Sequence, residues 1–244
     1  MNKITLALLI FLSINIYAVD YTDGLVNVSI DNNQMIIIDN DLGINNEYQF
    51  KQRNIYSIEF LKVNKTLSFL SLHSDDLIVL YSPIKRNPYF IGTNMAFHHN
   101  IERIYTFEQS SLQGTSFLRE GQVSYKVENL GNYDLDKPWA TNRNNGIGEQ
   151  IYIANSVLSN LYISIGYVSM DKPYLYKENA RPKNIKVTDL TNNITQILEL
   201  KDTPNPQKII LGKSMERKIV IEIMDIYPGT KYKDLCINFI IPEA

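Results

Sequence analysis

Residues 217–227 read RKIVIEIMDIY, and apolar residues recur at alternate positions over most of this stretch. A period of two is that of a β-strand, in which successive side chains point to opposite faces. Ile219, Ile221 and Ile223 fall on one face, so we expect the strand to bury its isoleucine side. The stretch therefore predicts a half-buried strand and a β-sheet that other parts of the chain must complete.

Shorter runs of the same kind recur along the chain between turn residues, and the first half shows no helical pattern of useful length with caps. In the first half, strands are predicted at 34–39, 55–63, 67–72 and 76–82. In the second half, they are predicted at 123–130, 149–155, 161–168, 185–190, 194–201, 207–212, 217–227 and 235–241, and residues 110–121 are loop-like. The predicted fold class is all-β, with a sandwich in the second half and a small antiparallel barrel or meander in the first.

The first 18 residues have the composition of a secretory signal peptide. Lys3 supplies a positive charge, Ile4 to Ile14 form an apolar run, and Ala18 offers a small residue at the predicted cleavage point. An uncleaved anchor is the alternative, but the run is shorter than the roughly 20 apolar residues of a membrane span. No later run is long and apolar enough to span a membrane, so we expect an exported protein, periplasmic or extracellular.

Charge and motif content argue against several classes of protein. The formal net charge is -2, unlike the basic excess of proteins that bind nucleic acid. His98 and His99 are adjacent and His73 is isolated, so no zinc site is expected. The single cysteine, Cys236, lies in an apolar run and suits a buried position. No nucleophile elbow or phosphate loop is present, so we do not expect an enzyme, although a glycosidase carboxylate pair would leave no motif.

The second half also carries motifs in a recognisable order. These are GIGE, GY, Y-x-x-N-x-R-P-K and Y-x-G-x-K-Y-x-D, within 146–149, 166–167, 176–183 and 227–234. In order and spacing they resemble the NADase-type glycan-binding domain, the translocation domain of secreted NAD glycohydrolase toxins, which is discoidin-like and factor V/VIII C-type. The resemblance covers about residues 110–244 and implies a galactose-binding-like jelly-roll β-sandwich. The predicted organisation is a signal peptide at 1–18, a β-rich domain at 19–109 and the jelly roll at 110–244.

Two positions depart from the pattern of that family. Members often have an acidic residue two positions after the tryptophan, where this chain has Thr141. Their last strand commonly ends in Ser-Glu, where this chain has Asn238 and Phe239. The catalytic region of the toxins is not matched, so the resemblance implies a binding module without catalysis.

The connection 174–184, YLYKENARPKN, is the candidate site for a sugar. An aromatic face can cover the apolar side of a sugar ring, and forked donors can bind neighbouring hydroxyls. In the alternative, Asn179 shapes a turn and Arg181 pairs with an acidic residue such as Asp234. The candidate glycan-binding residues are Tyr167, Tyr174, Tyr176, Asn179 and Arg181.

The stretch around the single tryptophan, Trp139, has two interpretations. Either the ring is a core plug whose N–H reaches a backbone carbonyl, or it stacks on a sugar. Gly146 and Gly148 would let the backbone enter the next strand at an unusual angle. Asp134 and Asp136 could contribute to a structural calcium site, or they make turn-type bonds to the backbone.

Together these features predict an exported, non-catalytic protein that binds a glycan or glycoconjugate through its second half. The alternative is a structural or protein–protein docking module of the bacterial envelope, whose partner is an envelope or host-surface protein. No cofactor is expected apart from the possible calcium ion.

Overall fold

The computed structural model describes the backbone of eight strands between Val19 and Gly92, the side chains of Leu77 and Val79, and residues 111–243 apart from positions 133, 170 and 171 and the side chain of residue 155. The predicted signal peptide, His98 and His99 lie outside the described residues, and only the backbone is described at His73. In the described residues, no helix is long and apolar enough to cross a membrane.

The first sheet is an antiparallel meander in which each of eight strands pairs with the next along the chain. Its first and last strands lie close to each other. The strands are β1 (Val19–Thr22), β2 (Val26–Asp31), β3 (Gln34–Asp39), β4 (Ile44–Gln52), β5 (Glu59–Val63), β6 (Leu67–His73), β7 (Leu77–Tyr81) and β8 (Tyr89–Gly92). The strands predicted at 34–39, 67–72 and 76–82 are close to the observed bounds, whereas β4 was missed because its sequence, INNEYQFKQ, is largely polar.

The second half forms a seven-stranded antiparallel sheet and a two-stranded hairpin. The sheet order is β12-β17-β13-β16-β14-β15, with β9 also paired to β13, and β10 and β11 form the hairpin. The strands are β9 (Leu112–Gly114), β10 (Leu118–Glu120), β11 (Val123–Tyr125), β12 (Trp139–Thr141), β13 (Gln150–Ile165), β14 (Arg181–Asp189), β15 (Ile194–Glu199), β16 (Gln207–Tyr227) and β17 (Leu235–Glu243). A four-residue helix, α1 (Leu175–Glu178), precedes β14, and 3-10 helices span Val127–Gly131 and Arg143–Gly146. The fold is all-β, as predicted.

Two long, bulged strands each cover two of the predicted strands. The run 149–155 and the run 161–168 up to Ile165 belong to β13, and the runs 207–212 and 217–227 belong to β16. Polar residues between the runs suggested loops, but β13 and β16 stay paired there through register shifts. Two further predictions were wrong: the run 123–130 is a strand only to Tyr125, and the loop-like segment 110–121 contains β9 and β10.

The buried Arg217 holds the largest of these irregularities in place. Leu158 pairs with Met215 and Asn160 with Ile210, so β16 has several more residues than β13 across the bulge. The Arg217 guanidinium donates to the carbonyl oxygens of Leu158 and Lys213, at 3.0 and 2.7 Å, and forms an ion pair with buried Asp189.

The core of the second half is one cluster of buried hydrophobic side chains. It includes Ile219, Ile221 and Ile223, so the prediction that β16 buries its isoleucine face is confirmed. The other strands contribute Leu112, Trp139, Ile151, Ile153, Leu161, Ile163, Ile165, Ile185, Val187, Leu235, Ile237 and Ile240 among others.

Candidate functional site

Trp139 is wholly buried in this core. It pairs with Ile237 across β12 and β17, and its indole N–H donates to the carbonyl oxygen of Ser116 at 2.9 Å. A buried Trp normally needs a partner for its N–H, and this bond supplies it. The ring is therefore not available to stack on a ligand in this conformation.

The turn after Trp139 depends on residues that tolerate left-handed backbone. Asn144 and Asn145 have φ of 46° and 55°, and Gly146 and Gly148 have φ of 87° and 83°. A side chain at position 146 would place its Cβ 2.5 Å from the Cβ of Leu235, so only glycine fits there. The backbone N–H of Gly148 donates to the carbonyl oxygen of Ile223 at 2.8 Å, which joins the turn to β16.

A buried carboxylate lies beneath this turn. Glu149 accepts hydrogen bonds from the hydroxyls of Thr115 and Ser116, at 2.5 and 2.6 Å. The Ser116 hydroxyl also lies 2.6 Å from the Thr141 hydroxyl, and Arg143 Nε lies 3.7 Å from the other Glu149 oxygen. These contacts tie β9, β12 and β13 together, so Glu149 has a structural role at this end of the sandwich.

The predicted calcium ligands form a turn. The Asp134 carboxylate accepts the backbone N–H of Asp136 at 3.1 Å and lies 3.4 Å from Lys137 Nζ. Calcium is normally bound by six to eight oxygens, and a lysine ammonium beside the carboxylate opposes a cation. Over the described part of the chain, no group of three or more His, Cys, Asp or Glu residues could hold a metal. The donor set does not fit calcium, and this prediction is not supported.

Three of the predicted sugar-binding residues are buried and meet two partly exposed residues in a cluster, which we call the arginine hub. It consists of Tyr176, Lys177, Asn179, Arg181 and Asp202. Arg181 donates to both oxygens of Asp202, from Nε at 2.8 Å and from Nη2 at 3.1 Å. Its Nη1 donates to the carbonyl oxygens of Asn179 at 2.7 Å and Tyr176 at 3.2 Å. The guanidinium lies 5.2 Å from the centre of the Tyr176 ring.

Two further contacts complete the hub. The Tyr176 hydroxyl donates to Asp202 at 3.1 Å, and Lys177 forms an ion pair with the same carboxylate. Burial of Asp202 raises its pKa, but hydrogen bonds from Arg181 and Lys177 outweigh this effect and hold the pKa below its ordinary value. Burial, and next the Asp202 charge, raise the pKa of Tyr176. Asp202 is therefore the carboxylate around which the hub is organised.

Arg181 forms a buried ion pair, as the alternative interpretation required, but its partner is Asp202 and not Asp234. Asn179 donates its side-chain amide to Leu175 O at 2.9 Å and caps α1. Because Tyr176, Asn179 and Arg181 are all buried, they position the connection and do not present a surface. Tyr174 differs, since 52% of it is exposed.

Tyr167 belongs to a separate, half-exposed group, which we call the tyrosine cluster and define as Tyr125, Tyr167, Glu120 and Asp234. The rings of Tyr125 and Tyr167 meet edge to face, with centroids 6.4 Å apart. The Tyr167 hydroxyl donates to the backbone carbonyl oxygen of Asp136 at 3.0 Å. Gly166 separates the cluster from the hub, because a Cβ at that position would lie 2.6 Å from the Tyr176 ring.

The Glu120 carboxylate lies near the Tyr125 hydroxyl. Burial raises the pKa of Tyr125, and the nearby Glu120 charge raises it further. Burial also raises the pKa of Asp234, and the Glu120 charge is the second cause. The cluster therefore combines aromatic faces, phenol hydroxyls and carboxylate acceptors at a surface of the sandwich.

Sequence reasoning proposed Tyr167 but missed Tyr125, Glu120 and Asp202. Tyr125 precedes Tyr167 by 42 positions, and Asp202 follows Arg181 by 21, so no local motif joins either pair.

The cysteine, Cys236, is buried as expected, and burial raises the pKa of its thiol. The 227–234 segment is a turn that contacts α1, through Thr230 N–H to Lys177 O at 3.0 Å and Tyr232 N–H to Glu178 O at 2.8 Å.

Comparison with known proteins places the second half in context. The family model described as the NAD glycohydrolase translocation F5/8 type C domain matches residues 105–241, more than half of the chain. The search of curated proteins gives no match. Among solved structures, the family 32 carbohydrate-binding module of C. perfringens NanJ, determined in complex with galactose, is similar with a TM-score of 0.41 and 12% identity. That alignment covers 58% of this chain and 98% of the module.

Proposed function

Since the chain belongs to the NAD glycohydrolase translocation F5/8 type C domain family, we propose that residues 110–244 form a non-catalytic module that binds carbohydrate, and that residues 19–109 form a separate β-domain. The family description names a translocation domain, which supports a role other than catalysis. The predicted signal peptide supports export to the periplasm or the outside. N-terminal sequencing of the mature protein should begin at Val19; retention of residues 1–18 on a released protein would contradict this part.

The tyrosine cluster is the observation that carries the proposal. Tyr125 and Tyr167 are both partly exposed, and their fixed edge-to-face contact lets them offer a rigid aromatic surface. The carboxylates of Glu120 and Asp234 can accept hydrogen bonds from sugar hydroxyls. We expect each site to bind weakly, so that several would be needed for avidity.

The arginine hub supports this site without contacting the ligand. Its Tyr176 ring packs where a Cβ of residue 166 would be, so it fixes the backbone that carries Tyr167. The residues first predicted to bind sugar then divide into two groups. Tyr167, and Tyr174 by its exposure, are candidates for contact, whereas Tyr176, Asn179 and Arg181 hold the connection.

The test is a glycan array with the full mature chain and three variants. Tyr125→Ala and Tyr167→Ala should each weaken binding by about tenfold, the equivalent of roughly 1.4 kcal/mol. Tyr152→Ala is the matched control, since Tyr152 is a similarly exposed tyrosine on β13 whose hydroxyl contacts Gln150. No binding by the wild-type chain, or equal loss in the control, would contradict the proposal.

The edge of the sheet favours a second function, docking of an envelope or host-surface protein. Ile194 and Ile197 on the outermost strand β15 are largely exposed, as is Ile210 on β16. Ile194 and Ile197 lie on opposite faces of β15, and the Gln196 side chain donates to the carbonyl oxygen of Ile210 at 3.1 Å, which brings this edge strand beside that part of β16. Ile197→Lys should lower retention of the protein on isolated envelopes or host membranes and leave the glycan array unchanged; unchanged retention would exclude docking at this edge.

A further inference from the structure

The β10–β11 hairpin carries a carboxylate and a tyrosine on the same face. Leu118 pairs with Tyr125, and Glu120 is two positions from Leu118 on the same strand. Paired residues share a face, and so do residues two apart on a strand. Tyr125 and Glu120 therefore lie on one face of the hairpin, which is the face whose tyrosine ring meets Tyr167. We call it the acidic face.

The cations of the hairpin lie on its other face. Arg119 and Lys126 are each one position from a residue of the acidic face, Glu120 and Tyr125 respectively. The Arg119 guanidinium carbon and the Lys126 ammonium both lie 5.9 Å from the centre of the Phe117 ring. The two cations are therefore held at an aromatic ring on the side away from Glu120.

A second carboxylate, that of Asp234, belongs to the segment beside Tyr167. The carbonyl oxygen of Cys236 accepts the backbone N–H of Gly166 at 2.9 Å, and Tyr167 is the next residue after this glycine. Burial raises the pKa of Asp234 and the Glu120 charge raises it further, whereas a cation beside the carboxylate would lower it. The charge that acts on Asp234 is therefore of its own sign.

Aromatic rings and carboxylates together suit a cation better than an anion. The face of a tyrosine ring attracts an ammonium group, and a carboxylate accepts charge-assisted hydrogen bonds from it. A sugar carboxylate or sulfate would instead meet like charges at Glu120 and Asp234. The two tyrosine rings remain the part of the site that can cover the apolar side of a sugar, so the carboxylates add a preference among sugars.

We propose that the tyrosine cluster selects sugars that carry a free, protonated amine, such as glucosamine units without acetyl groups. The ammonium group would lie beside Glu120 and Asp234, while the sugar ring lies against Tyr125 or Tyr167. This inference rests on the proposed carbohydrate-binding function and adds the class of sugar that the same site takes.

The test compares two tetrasaccharides on the full mature chain, a glucosamine tetramer and its fully N-acetylated counterpart. Calorimetry measures both affinities at about pH 6, where the free amine is protonated. We expect the amine form to bind about tenfold more tightly. The difference should shrink as the salt concentration rises from about 20 mM to about 300 mM, because salt screens exposed charges. Equal affinities, or a preference that salt does not change, would overturn the proposal.

Charge variants locate the preference. Glu120→Gln and Asp234→Asn keep the size of the side chain and remove its charge. Each should weaken binding of the amine tetramer about fivefold and change binding of the acetylated tetramer less than about twofold. Glu216→Gln is the matched control, since Glu216 is an exposed carboxylate on β16 that pairs with Val157. The same loss in this control would mean that the net charge of the chain sets the preference, and the proposal would fail.

Two further comparisons separate this inference from the function on which it rests. Cyclohexylamine has an ammonium group without hydroxyls and should bind at least about tenfold more weakly than glucosamine; equal binding would contradict recognition of a sugar. If the glycan array shows binding of neutral or acidic glycans that depends on Tyr167, and none of amino sugars, the amine preference is wrong and carbohydrate binding stands. If no glycan binds, both are wrong.

Discussion

The arginine hub and the tyrosine cluster contain similar residue types and differ in burial. In the hub, Tyr176 and Arg181 bind Asp202, and only 3% of the Arg181 side chain is exposed to solvent. The cluster joins Tyr125 and Tyr167 to Glu120 and Asp234, with rings that water still reaches. An aromatic, cationic or acidic composition therefore does not identify a binding site by itself. Burial decides which group holds the backbone and which group can meet a ligand.

The largest expected effect is the loss of the hub's cation. Arg181→Ala leaves the buried carbonyl oxygens of Tyr176 and Asn179 without their donor and leaves Asp202 with Tyr176 and Lys177 as its partners, which should lower the free energy of unfolding by about 4 kcal/mol. Lys183→Ala is the control, because Lys183 forms a more exposed pair with Asp225 at 3.5 Å and should cost less than about 1 kcal/mol. Urea unfolding measures both. Equal losses would mean that burial does not distinguish the hub.

The next effect concerns the glycine between the two groups. Gly166 has a φ of 87°, and an added Cβ would lie 2.6 Å from the Tyr176 ring. In Gly166→Ala, backbone strain and overpacking together should lower the free energy of unfolding by about 3 kcal/mol. Gly148→Ala has a similar φ of 83° but no atom within 4 Å of its Cβ, and should cost only about 1 kcal/mol. The difference in thermal midpoints isolates the contact with the hub. Similar midpoints would show that Tyr176 moves aside freely.

Local sequence patterns predicted some of these features and not others. The isoleucine face of β16 could be predicted because alternation is local, and so could a turn that needs glycine at positions 146 and 148. The existence of an ion pair at Arg181 could be argued from its charge. Its partner could not, because Asp202 reaches it only after the β14–β15 hairpin reverses the chain. The Tyr125 contact was hidden for the same reason, since β11 and the residue after Gly166 meet only in the folded sandwich.

A smaller effect should appear in acid. The pKa of Asp202 is lowered in the folded state, so the unfolded state binds more protons and stability rises with pH. The contribution is complete above the ordinary value of 3.8 and is lost as the pH falls from there through the folded pKa. Urea midpoints between about pH 5 and about pH 2 should therefore fall more steeply for the wild type than for Asp202→Asn. Parallel curves for the two proteins would show that this carboxyl does not couple folding to pH.

The smallest effect on stability is expected in the tyrosine cluster. It tests whether the cluster matters less than the hub for stability and more for glycan binding. Tyr167→Phe removes one hydrogen bond to Asp136 O at a half-exposed position, which should cost about 0.5 kcal/mol because water can replace the lost donor. Tyr176→Phe removes a bond to Asp202 inside the hub and should cost about 1.5 kcal/mol, since the carboxylate there loses a buried donor. Thermal unfolding measures both, and the glycan array should respond to the first variant more than to the second. The reverse order in stability, or weaker glycan binding only in Tyr176→Phe, would mean that the hub contacts the ligand and the cluster supports the fold.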